Sequence, residues 1–198
     1  MQPQTRKLKY HVATSLDGFI ARDDDSTDCF PGDLQAENVT DYLFSLASEY
    51  DTVLMGRGTY EIGLKVGVSD PYPQMETYVF SRTLKDSPNP RVHLVHENVA
   101  DVVRGLKARA GEDIDWGRVI RGAQAHAHKD IYLCGGGNLA RTLFAEGLID
   151  EVVIKLNPVL LGSGKPVVSR LPQDIPLELM STKTYRTGIV LLRYSVKR

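Results

Sequence analysis

Ile131-Tyr132-Leu133-Cys134-Gly135-Gly136-Gly137-Asn138 is the stretch on which the reading of this chain turns. Four apolar or aromatic residues in a row, with no polar alternation, describe a strand buried on both faces. Three glycines follow, and then Leu139, Leu143 and Phe144 recur at helical spacing until Gly147. A strand that runs through glycines into a helix lets backbone N–H groups and a helix N-terminus approach an anion. The run is not GxGxxG, and no Gly-Lys-Ser/Thr follows, so neither common phosphate-binding fingerprint is present. A tight turn needing positive φ would use the same glycines.

Similar units flank this one. Upstream, Thr52-Val53-Leu54-Met55 ends at Gly56, and Thr77 to Phe80 and Val92 to Val95 are further short apolar runs. Between them lie helical patterns. Val39, Leu43, Leu46, Ala47 and Tyr50 share one phase. Asn98 stands as N-cap to a second stripe of Val99, Val102, Val103, Leu106 and Ala110, stopped by Gly111. Lys9 to Leu16 reads as a first strand ended by Asp17-Gly18, and Glu151 to Leu156 as a late one. The end of the chain changes character: Leu177 to Tyr185 and Ile189 to Val196, joined through Thr187-Gly188, predict an antiparallel hairpin. Strands alternating with helices require right-handed crossovers and a mostly parallel sheet. The expected fold is therefore α/β, in one domain over 1–198, with 112–129 as an insertion holding Trp116.

Composition narrows what such a fold does. The 198 residues are 42% hydrophobic and 25% charged, with a formal net charge of -1. No overall basic field exists to draw nucleic acid or an anionic membrane, so neither is an expected partner. Two distant cysteines, Cys29 and Cys134, form no disulfide framework and suit a reducing compartment. No membrane-length apolar run occurs, and the expectation is a cytoplasmic protein. His126 and His128 are two apart, wrong for one helix face, and Asp23-Asp24-Asp25 lacks the spacing of a calcium loop, so no metal is expected.

In open α/β sheets ligands gather at the carboxyl ends of the parallel strands. Three such ends carry polar groups suited to phosphate: Gly135 to Asn138; Gly56-Arg57-Gly58-Thr59; and Ser81-Arg82 after Phe80. An arginine, rather than an acid, at the ribose favours a 2′-phosphate and hence NADP. Taken singly, each arginine reads equally well as a solvated surface group.

In order, Thr14-Ser15-Leu16-Asp17-Gly18-Phe19-Ile20-Ala21, Val53 to Tyr60, Val79 to Arg82, Leu133 to Gly137, Asp150-Glu151-Val152 and Pro158 to Gly164 resemble the dihydrofolate reductase superfamily. The branch they match best contains the reductase domain of the riboflavin-pathway deaminase/reductase. The resemblance implies a three-layer α/β/α fold, NADPH as cofactor, hydride transfer to a pteridine, folate or aminopyrimidine, and a homodimer. It places Gly135, Gly136 and Gly137 against the pyrophosphate and nicotinamide side, Arg57 and Thr59 on phosphates, and Ser81 with Arg82 on the 2′-phosphate. Ala13, Gly56 and Asn138 complete the cofactor set.

The substrate half is less defined. Hydride transfer often needs a nearby proton donor. Asp41 is the candidate acid, pointing by helical phase either to the cleft or to solvent, and Asp17, at the Leu-Asp-Gly corner, is the second. Cys134 departs from the pattern, because the riboflavin-pathway enzymes carry Glu there; as a strand-end cysteine it reads as an apolar filler rather than a nucleophile. A nucleotide-binding module without catalysis, or a reductase of an unrelated carbonyl or nitro compound, is compatible with the same cofactor half.

Overall fold

A computed structural model of the chain describes residues 5–30, 33, 35–109 and 129–198. The expected insertion, apart from Lys129, lies outside these residues, as do Ala110, Gly111, His126 and His128. In chain order the elements are β1 (Leu8–Thr14), β2 (Phe19–Ala21), α1 (Glu37–Glu49), β3 (Tyr50–Gly56), α2 (Arg57–Lys65), β4 (Glu76–Phe80), β5 (Val92–Val95), α3 (Val99–Ala108), β6 (Asp130–Gly135), α4 (Gly137–Ala145), β7 (Glu151–Leu156), β8 (Lys165–Pro166), β9 (Leu177–Thr184) and β10 (Val190–Val196).

Eight strands form one sheet in the order β5-β4-β3-β6-β1-β7-β10-β9. The six from β5 to β7 run parallel, and β10 and β9 add the antiparallel hairpin. β2 and β8 pair separately as a short antiparallel ribbon. Connections that step toward β5 (α1, α2) cover one face, and those that step back (α3, α4) cover the other, as right-handed crossovers demand. Each face has its own core. Leu54, Leu133 and Tyr10 meet Val103 and Leu106 of α3 and Leu139 and Leu143 of α4 on one side. Val53, Met55 and Tyr132 meet Leu46 of α1 and Tyr60 of α2 on the other. Residues 131–133 alternate between these two cores, which is why that run shows no polar position.

Helix α1 is rotated about one residue from the expected phase. Asn38, Ser45 and Leu46 are buried and Tyr42 packs beside them, whereas Leu43 and Phe44 are 55% and 72% exposed. A charged lock sets this rotation. Glu49, at the end of α1, accepts from Lys9 Nζ at 2.9 Å and from both terminal nitrogens of Arg193 at 3.0 and 2.7 Å. Burial alone would raise its pKa, but the Arg193 and Lys9 contacts outweigh that and hold it at about 2. A half-buried carboxylate with two cationic partners fixes helix azimuth more firmly than one exposed leucine can. Tyr50, expected in the helix, begins β3 instead.

Asn98 does not cap α3 through its side chain. It adopts the left-handed conformation at φ 54° and makes no side-chain cap bond. Asn tolerates that region better than most residues, and here the tight entry from β5 requires it.

Candidate active site

The carboxyl ends of β3, β4, β5, β6 and β1 open onto one cleft of about 1390 Å³. Three helices start on its wall: α2 at Arg57, α3 at Val99 and α4 at Gly137. Each N-terminus leaves N–H groups without helical partners and carries partial positive charge. Their convergence suits an extended ligand with several negative charges.

Along one half of the cleft lie Gly56, Arg57, Thr59, Ser81, Arg82, Gly136, Gly137 and Asn138. The separate strand ends picked out in the sequence thus share one surface. Gly56 and Gly136 nearly touch: a Cβ on Gly56 would stand 3.6 Å from the Gly136 nitrogen. Thr59 closes this corner, its Oγ1 lying 3.4 Å from where a Cβ on Gly135 would be. Gly135 has φ 141°, and its peptide to Gly136 is cis. Gly137 lines the cleft and also has a packing role. A Cβ there would fall 2.5 Å from the carbonyl oxygen of Pro166, so this glycine admits the 166–169 segment against α4.

Ser81 is nearly buried, and its Oγ accepts from the N–H groups of Thr83 and Leu84 at 3.2 and 2.8 Å. The hydroxyl proton remains available to a ligand. His96, which the sequence reading did not single out, stands beside it with Nδ1 2.8 Å from the Ser81 carbonyl oxygen. A carbonyl only accepts, so Nδ1 carries the proton there. Arg57 reaches Glu61 one helical turn on at 3.4 Å. Arg82 has no ion pair among the described residues.

The other half of the cleft is aromatic. His11, Tyr42, Tyr72, Tyr132 and Cys134 line it, with Ala13 and Lys155 on the strand floor. Tyr42 and Tyr132 share a hydrogen bond of 3.0 Å, and the Tyr72 hydroxyl meets Cys134 Sγ at 3.3 Å. Cys134 is therefore a wall group of the cleft, not merely filler, and burial pushes its thiol above the ordinary range, away from the thiolate. His11 packs edge-on to Tyr42 and Tyr132. Burial, reinforced by Arg193, lowers its pKa to about 3, so the imidazole is neutral.

Neither carboxylate nominated as an acid is on this wall. Asp41 sits on the outer side of α1, where its carboxylate accepts from Lys183 Nζ and the Tyr185 hydroxyl, both at 2.7 Å. The helix rotation described above places Tyr42, not Asp41, toward the cleft. Asp17 accepts from Ser15 Oγ at 2.6 Å and from the N–H groups of Leu161 and Gly162 at 3.0 and 2.7 Å. Those bonds, led by Ser15, lower its pKa to about 2, so Asp17 stays ionised and ties two loops together.

The sheet order, the two-sided helical layers and the cleft across the strand ends define an α/β protein of the dihydrofolate-reductase-like fold. The chain belongs to the RibD C-terminal domain family, which it matches over residues 6–191. It is similar to the protein YyaP of Bacillus subtilis (strain 168), at 29% identity over 96% of this chain and 94% of that one. Among solved structures, a putative riboflavin biosynthesis protein from Shewanella sp. PV-4 is similar with a TM-score of 0.74 and 25% identity, covering 98% and 99% of the two chains. Dihydrofolate reductase from Enterococcus faecalis, solved with NADP(H) and RAB-propyl, superposes at a TM-score of 0.65 and 14% identity over 97% of each chain, a likeness of fold. No helix among the described residues is long and apolar enough to cross a membrane.

Proposed function

We propose that this chain is an NADPH-dependent reductase that delivers hydride to a pteridine-, folate- or aminopyrimidine-type heterocycle. One observation carries the reading: three helix N-termini and the side chains of Arg57, Ser81 and Arg82 meet along one cleft whose other half is aromatic. The donor set fits a dinucleotide phosphate. The α4 N-terminus with Gly136 and Asn138 faces the diphosphate, Arg57 and Thr59 flank it, and Ser81 with Arg82 receives the 2′-phosphate. NADPH supplies the hydride when bound. Ala13, on the floor of the cleft, borders the reacting ring. The aromatic half stacks the acceptor and excludes bulk water, which strengthens every polar contact inside. With Asp41 and Asp17 engaged elsewhere, the proton comes from water held by the Tyr42 and Tyr132 hydroxyls. The partner implied by the family likeness is a second copy of the chain, a reading supported by the edge strand β9, which is exposed along its length and carries Leu179 and Met180.

The deciding experiment follows NADPH oxidation at 340 nm with dihydrofolate and, separately, with 5-amino-6-(5-phosphoribosylamino)uracil. Turnover with either is the expected result. NADPH binding without turnover across these and a panel of carbonyl and nitro compounds would favour a non-catalytic module, and no NADPH binding would remove the reading altogether.

A further inference from the structure

The aromatic half of the cleft contains one charge that no described residue answers. Lys155 is the fifth residue of β7 and pairs in register with Ala13 of β1. His11 and Ala13 therefore share its face of the sheet, and so do Tyr132 and Cys134 across β6. The other cations on that face are neutralised. Lys9 meets Glu49 and Asp130, Arg193 meets Glu49, and Lys183 on neighbouring β9 meets Glu37 and Asp41. Lys155 is half-buried and has neither a hydrogen bond nor an ion pair from its side chain among the described residues. Desolvation lowers its pKa, the direction expected of an ammonium held away from water without an anion. A lysine left this way in a packed core would be a plain defect, because burying an unpaired charge is costly. On the floor of an open cleft it is a site awaiting its counter-charge.

Resting on the reductase reading above, we propose that Lys155 recognises an anionic substituent, phosphate or carboxylate, on the heterocyclic substrate, while Tyr42, Tyr72, Tyr132 and neutral His11 enclose the ring. The hydroxyls, imidazole and thiol around it carry no negative charge, so the ammonium is the only ionic determinant on that floor among the described residues. The protein then selects against uncharged pteridines and pyrimidines of the same shape, since these leave the lysine unpaired.

The test uses two matched pairs of compounds on the protein saturated with NADP+, which cannot donate hydride, measured by equilibrium titration. One pair is the ribosylaminouracil with and without its 5′-phosphate; the other is dihydrofolate against dihydrobiopterin, whose side chain is uncharged. In at least one pair the anionic member is expected to bind about tenfold more tightly or better. Lys155→Met should bring that ratio close to one, Lys155→Arg should preserve it, and the responding pair identifies phosphate or carboxylate as the source. Thermal melting and NADPH affinity should be unchanged in Lys155→Met, which separates recognition from folding. No preference in either pair, including no binding of any of the four, or a preference that survives Lys155→Met, overturns the proposal. Failure of the unmodified protein to bind NADPH instead strikes the cofactor reading, which a separate NADPH titration detects.

Discussion

Arg82→Ala is expected to weaken NADPH binding by about ten- to a hundredfold and leave NADH binding nearly unchanged. Arg82 follows β4 and Ser81, on the wall that it shares with His96 and the start of α3. Its guanidinium has no acidic partner among the described residues, so a ligand phosphate does not have to compete for it. A charge-assisted hydrogen bond contributes about 1.5–3 kcal/mol, which sets the size of the effect. Arg57 is a weaker candidate for the same role because Glu61 already stands 3.4 Å from it. Titrating both cofactors against both proteins checks the assignment. Equal losses for NADPH and NADH would move Arg82 to the shared diphosphate, and no loss would remove it from the site.

Gly137→Ala is expected to lower stability by about 1–3 kcal/mol, a fall in Tm of roughly 2–12 °C, and to weaken NADPH binding as well. By propensity alone, alanine in place of glycine favours a helix. Here the added methyl would meet the Pro166 carbonyl oxygen at 2.5 Å and the Ser169 nitrogen and Val167 carbonyl oxygen at 3.3 Å. Backbone cannot rotate away as a side chain can. Either α4 or the 166–169 segment must retreat, and Val167 and Val168 of that segment pack on the core. Gly105→Ala in α3 is the matched control, since a methyl there meets nothing within 4 Å. It should hold or slightly raise Tm. Similar melting of the two variants would mean that the close approach at Gly137 is easily relieved.

The fold was legible because parallel strands covered on both sides are apolar or aromatic through their centres, and 53–55, 78–80 and 131–133 obey that rule. The glycine and arginine positions at the strand ends were legible for a related reason: chemistry in such sheets is confined to one edge. The phase of α1 was not. Leu43 belonged to the expected apolar stripe, yet a half-buried Glu49–Arg193 pair, invisible without the sheet order, turns it outward and brings Tyr42 to the cleft. Asp41 was nominated from that same wrong phase. The aromatic pocket was missed because His11, Tyr72, Tyr132 and Lys155 come from four distant segments with no shared motif. A lone lysine in a strand of apolar residues at 152–156 was the one available hint. The packing role of Gly137 was not legible, because its partners at 166–169 lie about thirty residues downstream.

The central claim is that the amides opening α4 face a dinucleotide diphosphate. Amide NMR of the 15N-labelled protein during an NADPH titration tests it most directly. The account predicts saturable shifts largest at Gly136, Gly137 and Asn138, with Ser81 and Arg82 responding to NADPH far more than to NADH. Shifts confined to other parts of the sheet edge, or none at saturating NADPH, would contradict it.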